Sequence, residues 1–469
     1  MSRRRLLPAA LAMLAALSAH AEKQSPPPPA PAAAFRLPPT SQYTLPGGTR
    51  VTLVPYGDVP KVNVVLVMHA GNADEAPGHT GLADLAGKLL LEGTTSRSAE
   101  QLAQAAADLG GSLDVVVGQD ESTVGIECLG EFAARAVALV AEVVRHPALP
   151  ESELARLKND LVRQLTLERS RQQPLAREAF DRAIYGSHPY GHPLAEAAEV
   201  KTFTLAYVKK FLGSYVGANR AHLYVIGRFD DAAVRGPIAE AFAGWARSPG
   251  GKRPAARPRT ERAVYFLDRA GAVQSTVLLG LPVVPPTSPD FIALSVTNTL
   301  LGGSFGSRIT ANIREKRGYT YSPFSALTTH PGVGTWAEAA DVTTKDTAAA
   351  VQEVVNEVER LRSESPGADE LAGFQRFMSG TFVRVNSSRL GILGQLRFVE
   401  LYGLPPDWLS SYVARVNAIT PADVTRMAKK YLDPARMTLV VVGDRQTVAS
   451  ALAPFGKVVL VTPPASPAP

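Results

Sequence analysis

The chain repeats itself. Residues Thr204–Gly227 (TLAYVKKFLGSYVGANRAHLYVIG) align without a gap on Thr420–Gly443 (TPADVTRMAKKYLDPARMTLVVVG). Identities fall at Thr204/Thr420, Ala206/Ala422, Val208/Val424, Tyr215/Tyr431, Arg220/Arg436, Leu223/Leu439, Val225/Val441 and Gly227/Gly443. Each copy reads as a helix, a short turn and a buried strand that ends at glycine. A duplicated helix–turn–strand unit restricts the chain to two homologous halves, each building its own version of one core. The spacing of the copies puts the halves at about 42–250 and 258–462. The proline-, glycine- and arginine-rich run Ser248-Pro249-Gly250-Gly251-Lys252-Arg253-Pro254 marks the junction, with 251–257 as the linker.

Within the first half the period of the apolar residues alternates between two and 3.6. Val51–Pro55 and Val64–Met68 read as strands, and Gly81–Glu92 has helical spacing. Ser98–Leu109 is predicted as a helix, opened by a Ser98-x-x-Gln101 capping box and closed by Gly110-Gly111. Strands at 112–118 and 122–129 are followed by long helices at 131–146 and 150–170. Strands and helices in this order predict an α+β class: two homologous halves, each an antiparallel-rich sheet covered by helices, facing each other as a clamshell.

Both ends are of a different kind. Arg3-Arg4-Arg5, the apolar Leu6–Leu17 and the A-x-A site Ala19-His20-Ala21 read as a secretory signal peptide over 1–21, cleaved after Ala21. Residues 22–41 and the tail 463–469 are proline- and alanine-rich, which predicts extended tethers. The formal charge of +6 falls to +3 once the three leader arginines are removed, too mild over this length to point to nucleic acid. No apolar run after the leader reaches the ~20 residues of a spanning helix. At 45% hydrophobic and 20% charged residues the chain can bury large cores, which excludes a disordered class. Cys128 is the single cysteine, so no intramolecular disulfide forms, and its apolar neighbours predict a buried, inert thiol. Export without disulfides predicts a periplasmic protein.

Three short stretches carry more specific information: Gly81-Leu82-Ala83 with Glu92-Gly93-Thr94, Tyr185-Gly186-Ser187-His188-Pro189-Tyr190-Gly191, and Arg314-Glu315-Lys316-Arg317-Gly318-Tyr319-Thr320-Tyr321-Ser322. With the duplicated halves, they make the chain resemble the insulinase (pitrilysin) family of metallopeptidases, in its shorter form similar to mitochondrial processing peptidase and its bacterial relatives. In that family the helix after the GLA turn carries an inverted zinc motif, H-x-x-E-H, and a distal glutamate follows about 75 residues on. Here the aligned residues are Asp84-Leu85-Ala86-Gly87-Lys88. The resemblance therefore places Asp84 and Lys88 where the histidines stand, and Gly87 where the general base stands. The distal position falls near Gln164–Thr166, with no carboxylate; Glu168 lies close by, off register.

Catalytic zinc needs about three ligands and an open position, and an ammonium at Lys88 repels a cation. Gly87 has no group to take a proton. Asp84 and Lys88, spaced i and i+4, are expected to form an ion pair where the metal would sit. His188 and His192 share that spacing, but the intervening Pro189 and Gly191 make the segment a loop, and no metal is assigned to it. His79 is expected to be solvated or capping; His69, His146, His222 and His330 are isolated in sequence. The glycine-rich Leu301–Arg308 lacks the lysine of a P-loop and is read as a helix–turn–helix junction.

The resemblance leaves one functional pair standing. The family's second half supplies an arginine and a tyrosine seven residues apart that reach the substrate at the zinc site, and these match Arg314 and Tyr321. Arg317 and Tyr319 compete for the same roles, and a purely structural role for the pair is the alternative. The implied function is a non-catalytic subunit of a periplasmic heterodimeric zinc peptidase. It would hold no metal itself and pair with a zinc-bearing homologue around unfolded or extended peptides, which would add as a strand to a sheet edge. Two other readings stay open: a peptide-binding scaffold, and a self-sufficient metallopeptidase using ligands such as Asp84 and Glu168.

Overall fold

The computed structural model describes residues 36–462. The signal peptide, most of the first tether and the tail lie outside the described residues. Part of the expected tether belongs to the folded body: half-buried Leu37 packs on the core, and Ser41 opens the first strand.

Two six-stranded sheets dominate. The first contains β1 (Ser41–Thr44), β2 (Arg50–Pro55), β3 (Lys61–Met68), β4 (Leu113–Val117), β5 (Ser122–Leu129) and β6 (Ala221–Gly227), in the order β1-β2-β6-β3-β5-β4. The second contains β7 (Ala263–Asp268), β8 (Gln274–Val283), β9 (Phe324–His330), β10 (Val333–Thr343), β11 (Thr438–Gly443) and β12 (Val458–Leu460), in the order β12-β7-β11-β8-β10-β9. The strands of the sequence repeat occupy matching places. β6 runs parallel to β2 and antiparallel to β3, and β11 runs parallel to β7 and antiparallel to β8. The helices before them, Leu205–Tyr215 and Pro421–Tyr431, are each capped by a threonine, Thr204 or Thr420, whose hydroxyl accepts a backbone N–H. The antiparallel-rich α+β class follows, with the parallel pairs confined to β2–β6, β7–β11 and β7–β12.

The two repeat strands are apolar on both faces because both faces are covered. Leu223 and Val225 of β6 point into the first half's core, under helices including Ala133–Arg145 and Leu205–Tyr215. Tyr224 and Ile226 point the other way and meet Leu393 and Ile392 of the Arg389–Tyr402 helix, which belongs to the second half. The exchange is reciprocal. The Gln172–Tyr185 helix of the first half packs Leu175, Phe180 and Ile184 against Val440 and Val442 of β11 and Leu278 of β8. The halves face each other across these two exchanged helices. The linker is tied down as well: Arg253 donates to Asp74 at 2.9 Å and to Asp120 at 2.8 Å.

Phe180 has no exposed surface. Truncating it opens a cavity in the layer that joins the halves, so Phe180→Ala should cost about 3–5 kcal/mol in chemical denaturation. A loss below 1 kcal/mol would show that the exchanged helix contributes little to holding the halves together.

Candidate functional site

The helix Leu82–Leu90, which carries the family's zinc positions, begins at Gly81 in the left-handed region, φ 88°, with no side-chain cap of its own. Glu75 supplies the cap, accepting from the Gly81 and Ala83 amides at 3.0 and 2.7 Å. Asn72 donates to both Glu75, at 3.2 Å, and Asp84, at 2.8 Å. Burial, reinforced by the neighbouring Asp84, pushes the Glu75 carboxyl up to about 8, and burial raises Asp84 too. The expected close Asp84–Lys88 ion pair is absent: Asp84 turns to Asn72, and no salt bridge within 4.0 Å among the described residues involves Lys88, which acts on Asp84 only at longer range. The physical reason is local, since the amide donor lies within hydrogen-bond reach and Lys88 keeps partial exposure to water.

Gly87 reports on space rather than chemistry alone. This helix lies against β4, the terminal strand of the first sheet, and a Cβ built at Gly87 would stand 2.7 Å from Val117 Cγ2 and 3.2 Å from Val115 Cγ1. A glutamate there would have to displace the Val117 and Val115 side chains. Further along, in the Glu151–Ser170 helix, Thr166 donates to its own helix at Val162 O, 2.9 Å away, and Glu168 pairs with Arg171. Among the described residues no group of three or more His, Cys, Asp or Glu is arranged to hold a metal ion. The residues at the zinc positions do not fit zinc. His188 caps a short 3-10 turn, Pro189–Gly191, and its Nε2 lies 3.0 Å from Pro254 O. His79 stacks near Phe203 and meets Tyr207 edge-on, so it is packed rather than solvated.

The second half presents the opposite picture. The Phe291–Leu301 helix ends where Gly302 and Gly303 fold back onto Asn298 O. A Cβ at Gly302 would be 2.4 Å from Ser325 Oγ and 2.5 Å from Glu338 Oε2, so only glycine permits this approach. The glycine-rich stretch is thus the predicted junction. It leads into Thr310–Lys316, wound as a π-helix, which carries Arg314. The Arg314 guanidinium lies 4.2 Å from the Phe305 ring centroid and 5.0 Å from that of Tyr321, with Nε 3.2 Å from Glu315. Tyr321 is 80% exposed and Phe305 72%. Of the competitors, Arg317 is paired with Glu353 at 3.0 Å, and Tyr319 is half-buried against the second core.

Three histidines set aside as isolated in sequence are not isolated in space. His69 and His222 meet at Glu400 of the exchanged Arg389–Tyr402 helix, and His330 Nδ1 lies 2.8 Å from Asp120 while its ring stacks 3.9 Å from Tyr190. The one sequence signal was a histidine and a tyrosine, His222 and Tyr224, alternating inside an otherwise apolar buried strand.

This body is a duplicated α+β scaffold in which no metal-binding group is found among the described residues and whose second half sets an arginine against an exposed tyrosine. Comparison with known proteins agrees on the scaffold. Residues 51–198 match the insulinase (peptidase family M16) model, and residues 202–376 match the model described as the peptidase M16 inactive domain. An uncharacterized zinc protease of Streptomyces coelicolor is 23% identical over 410 residues, 85% of this chain and 88% of its own. One from Mycobacterium tuberculosis is 29% identical over 290 residues, 61% of this chain and 66% of its own. Among solved structures, a peptidase M16 inactive domain from Pseudomonas fluorescens superposes with TM-score 0.78 at 24% identity, covering 86% of this chain and 98% of that one. A protease from Helicobacter pylori gives TM-score 0.81 at 19% identity, over 87% and 100%. The chain belongs to the insulinase (M16) metallopeptidase family.

Two outcomes test the first-half geometry. Gly87→Ala gains helix propensity of about 1 kcal/mol but overpacks Val117, for a net loss of about 1 kcal/mol on urea denaturation. For Glu75, a folded-state pKa raised above the unfolded value means that the native state holds the proton more tightly. Its contribution is therefore complete below the unfolded pKa of about 4.5 and is lost as pH rises towards about 8. Glu75→Gln should flatten the fall in stability between those pH values; an unchanged slope would refute the protonated cap.

Proposed function

We propose that this chain is the non-catalytic subunit of a periplasmic insulinase-type zinc peptidase, pairing with a zinc-bearing homologue. The observation that carries the reading is the asymmetry between the halves. Asp84, Gly87 and Lys88 offer no metal seat, while Arg314 lies stacked between Phe305 and an exposed Tyr321. A guanidinium and a phenol held by stacking are donors suited to a peptide carbonyl or to the oxyanion that forms from it. Fixed donors are most useful when the reacting carbonyl is brought to them by another chain that holds the metal. The zinc is expected in the partner. Unfolded or extended peptides are the substrates, with β4, a terminal strand beside the degenerate helix, as the edge that accepts an added strand.

The test is reconstitution with a homologue bearing an intact H-x-x-E-H motif. The isolated chain should be inactive and the pair active and chelator-sensitive. Arg314→Ala and Tyr321→Phe should each lower the pair's kcat by about 10²-fold or more without weakening association. Unchanged activity would favour a scaffold; chelator-sensitive hydrolysis by the chain alone would favour self-sufficiency.

A further inference from the structure

We propose that the inner face of the first sheet carries a carboxylate-binding site, and that Glu400 of the second half occupies it and so pins the exchanged Arg389–Tyr402 helix to the sheet. The site is independent of the peptidase reading above.

Its donors come from the first half. Arg50 opens β2, His69 follows β3, and His222 and Tyr224 lie on β6. His69 Nε2 is 2.8 Å from Glu400 Oε1, which Arg50 also reaches, while His222 Nδ1 and the Tyr224 hydroxyl both meet Oε2. Each carboxylate oxygen thus has two donors. The seat is rigid, because Thr52 Oγ1 holds His222 Nε2 at 2.7 Å and the His222 and Tyr224 rings stack at 4.1 Å. With Arg50 at its mouth, the seat favours an anion over a metal ion. The Glu400 side chain is 11% exposed, so the contact is made largely out of water.

His69 makes this seat sensitive to pH. Its other nitrogen, Nδ1, is 3.2 Å from Glu121, whose second oxygen accepts from Arg397 of the same exchanged helix at 3.1 Å. The charged and titratable groups around this seam are Arg50, whose guanidinium also lies 3.0 Å from His69 Nε2, Arg220, which donates to the His69 carbonyl, Glu121, His222, Tyr224 and Arg397. Both nitrogens of His69 therefore face carboxylates, one from each half. Only the imidazolium donates at both; the neutral ring leaves one carboxylate without its partner. Burial opposes the charged ring, but the Glu121 and Glu400 carboxylates beside it outweigh it and hold the pKa above the ordinary value. A base with a raised folded pKa stabilises fully below its unfolded pKa of about 6.5, and that contribution is lost as pH rises through the folded value. Glu400 governs the opposite limb. Burial raises its pKa, but His222, His69 and Tyr224 together hold it far below the ordinary range, so its contribution is lost only in strong acid. Burial lowers the pKa of His222, whose contribution is lost as pH falls below about 6.5, so the helix should be held most tightly near that value and less tightly by pH 8.

The experiment is hydrogen–deuterium exchange of amides 389–402 in the full chain, corrected for intrinsic rates. Glu400→Ala should raise their exchange about tenfold or more at pH 6. Sodium acetate at about 100 mM should bring it back towards wild type by refilling the seat, and equal sodium chloride should not. Wild-type protection should fall as pH rises from about 6 to 8, and Glu400→Gln, which keeps the shape but leaves His69 only Glu121, should make that fall clearly smaller. Exchange unchanged in Glu400→Ala, or an increase that acetate reverses no better than chloride, would overturn the site. Should Glu400→Ala fail to fold, Glu400→Gln decides alone: persistence of the wild-type pH profile overturns the proposal.

Discussion

The central strands β6 and β11 each bury both faces, one against their own half and one against a helix from the other, and the rest of the structure rests on that exchange. A half folding alone would leave Tyr224 and Ile226, or Val440 and Val442, facing water, and apolar surface of that kind is costly to expose. The two halves therefore complete each other's cores, and the linker sits on a body already joined by packing.

That joining fixes where the chemistry stands. The degenerate helix is pressed against the terminal strand β4 so closely that no side chain fits at Gly87, and Asp84 is drawn into a polar cap with Asn72. A larger residue at Gly87 would therefore have to push aside the Val117 and Val115 methyl groups that fill the space beside it. In the second half the glycines at 302 and 303 allow the opposite, a junction tight enough to throw Phe305, Arg314 and Tyr321 outward together.

Much of this was legible in the residues. The repeat gave two halves because helix and strand periods recur in the same order, and the capping box at Ser98–Gln101 formed as read. The Asp84–Lys88 pair did not form, because helical spacing states which groups are near each other but not which neighbour on another loop is nearer. His69, His222 and Glu400 escaped notice for the same reason, being far apart along the chain; so did the pairing of His330 with Asp120.

By itself the sequence determined what each position is unable to do: a glycine is no base, an ammonium is no zinc ligand, and a strand apolar at every residue cannot face solvent. Tertiary structure alone decided which polar groups meet. Local period and composition act over a few residues, whereas the carboxylate of Glu400 reaches β2 and β6 only because one half's helix covers the other half's sheet.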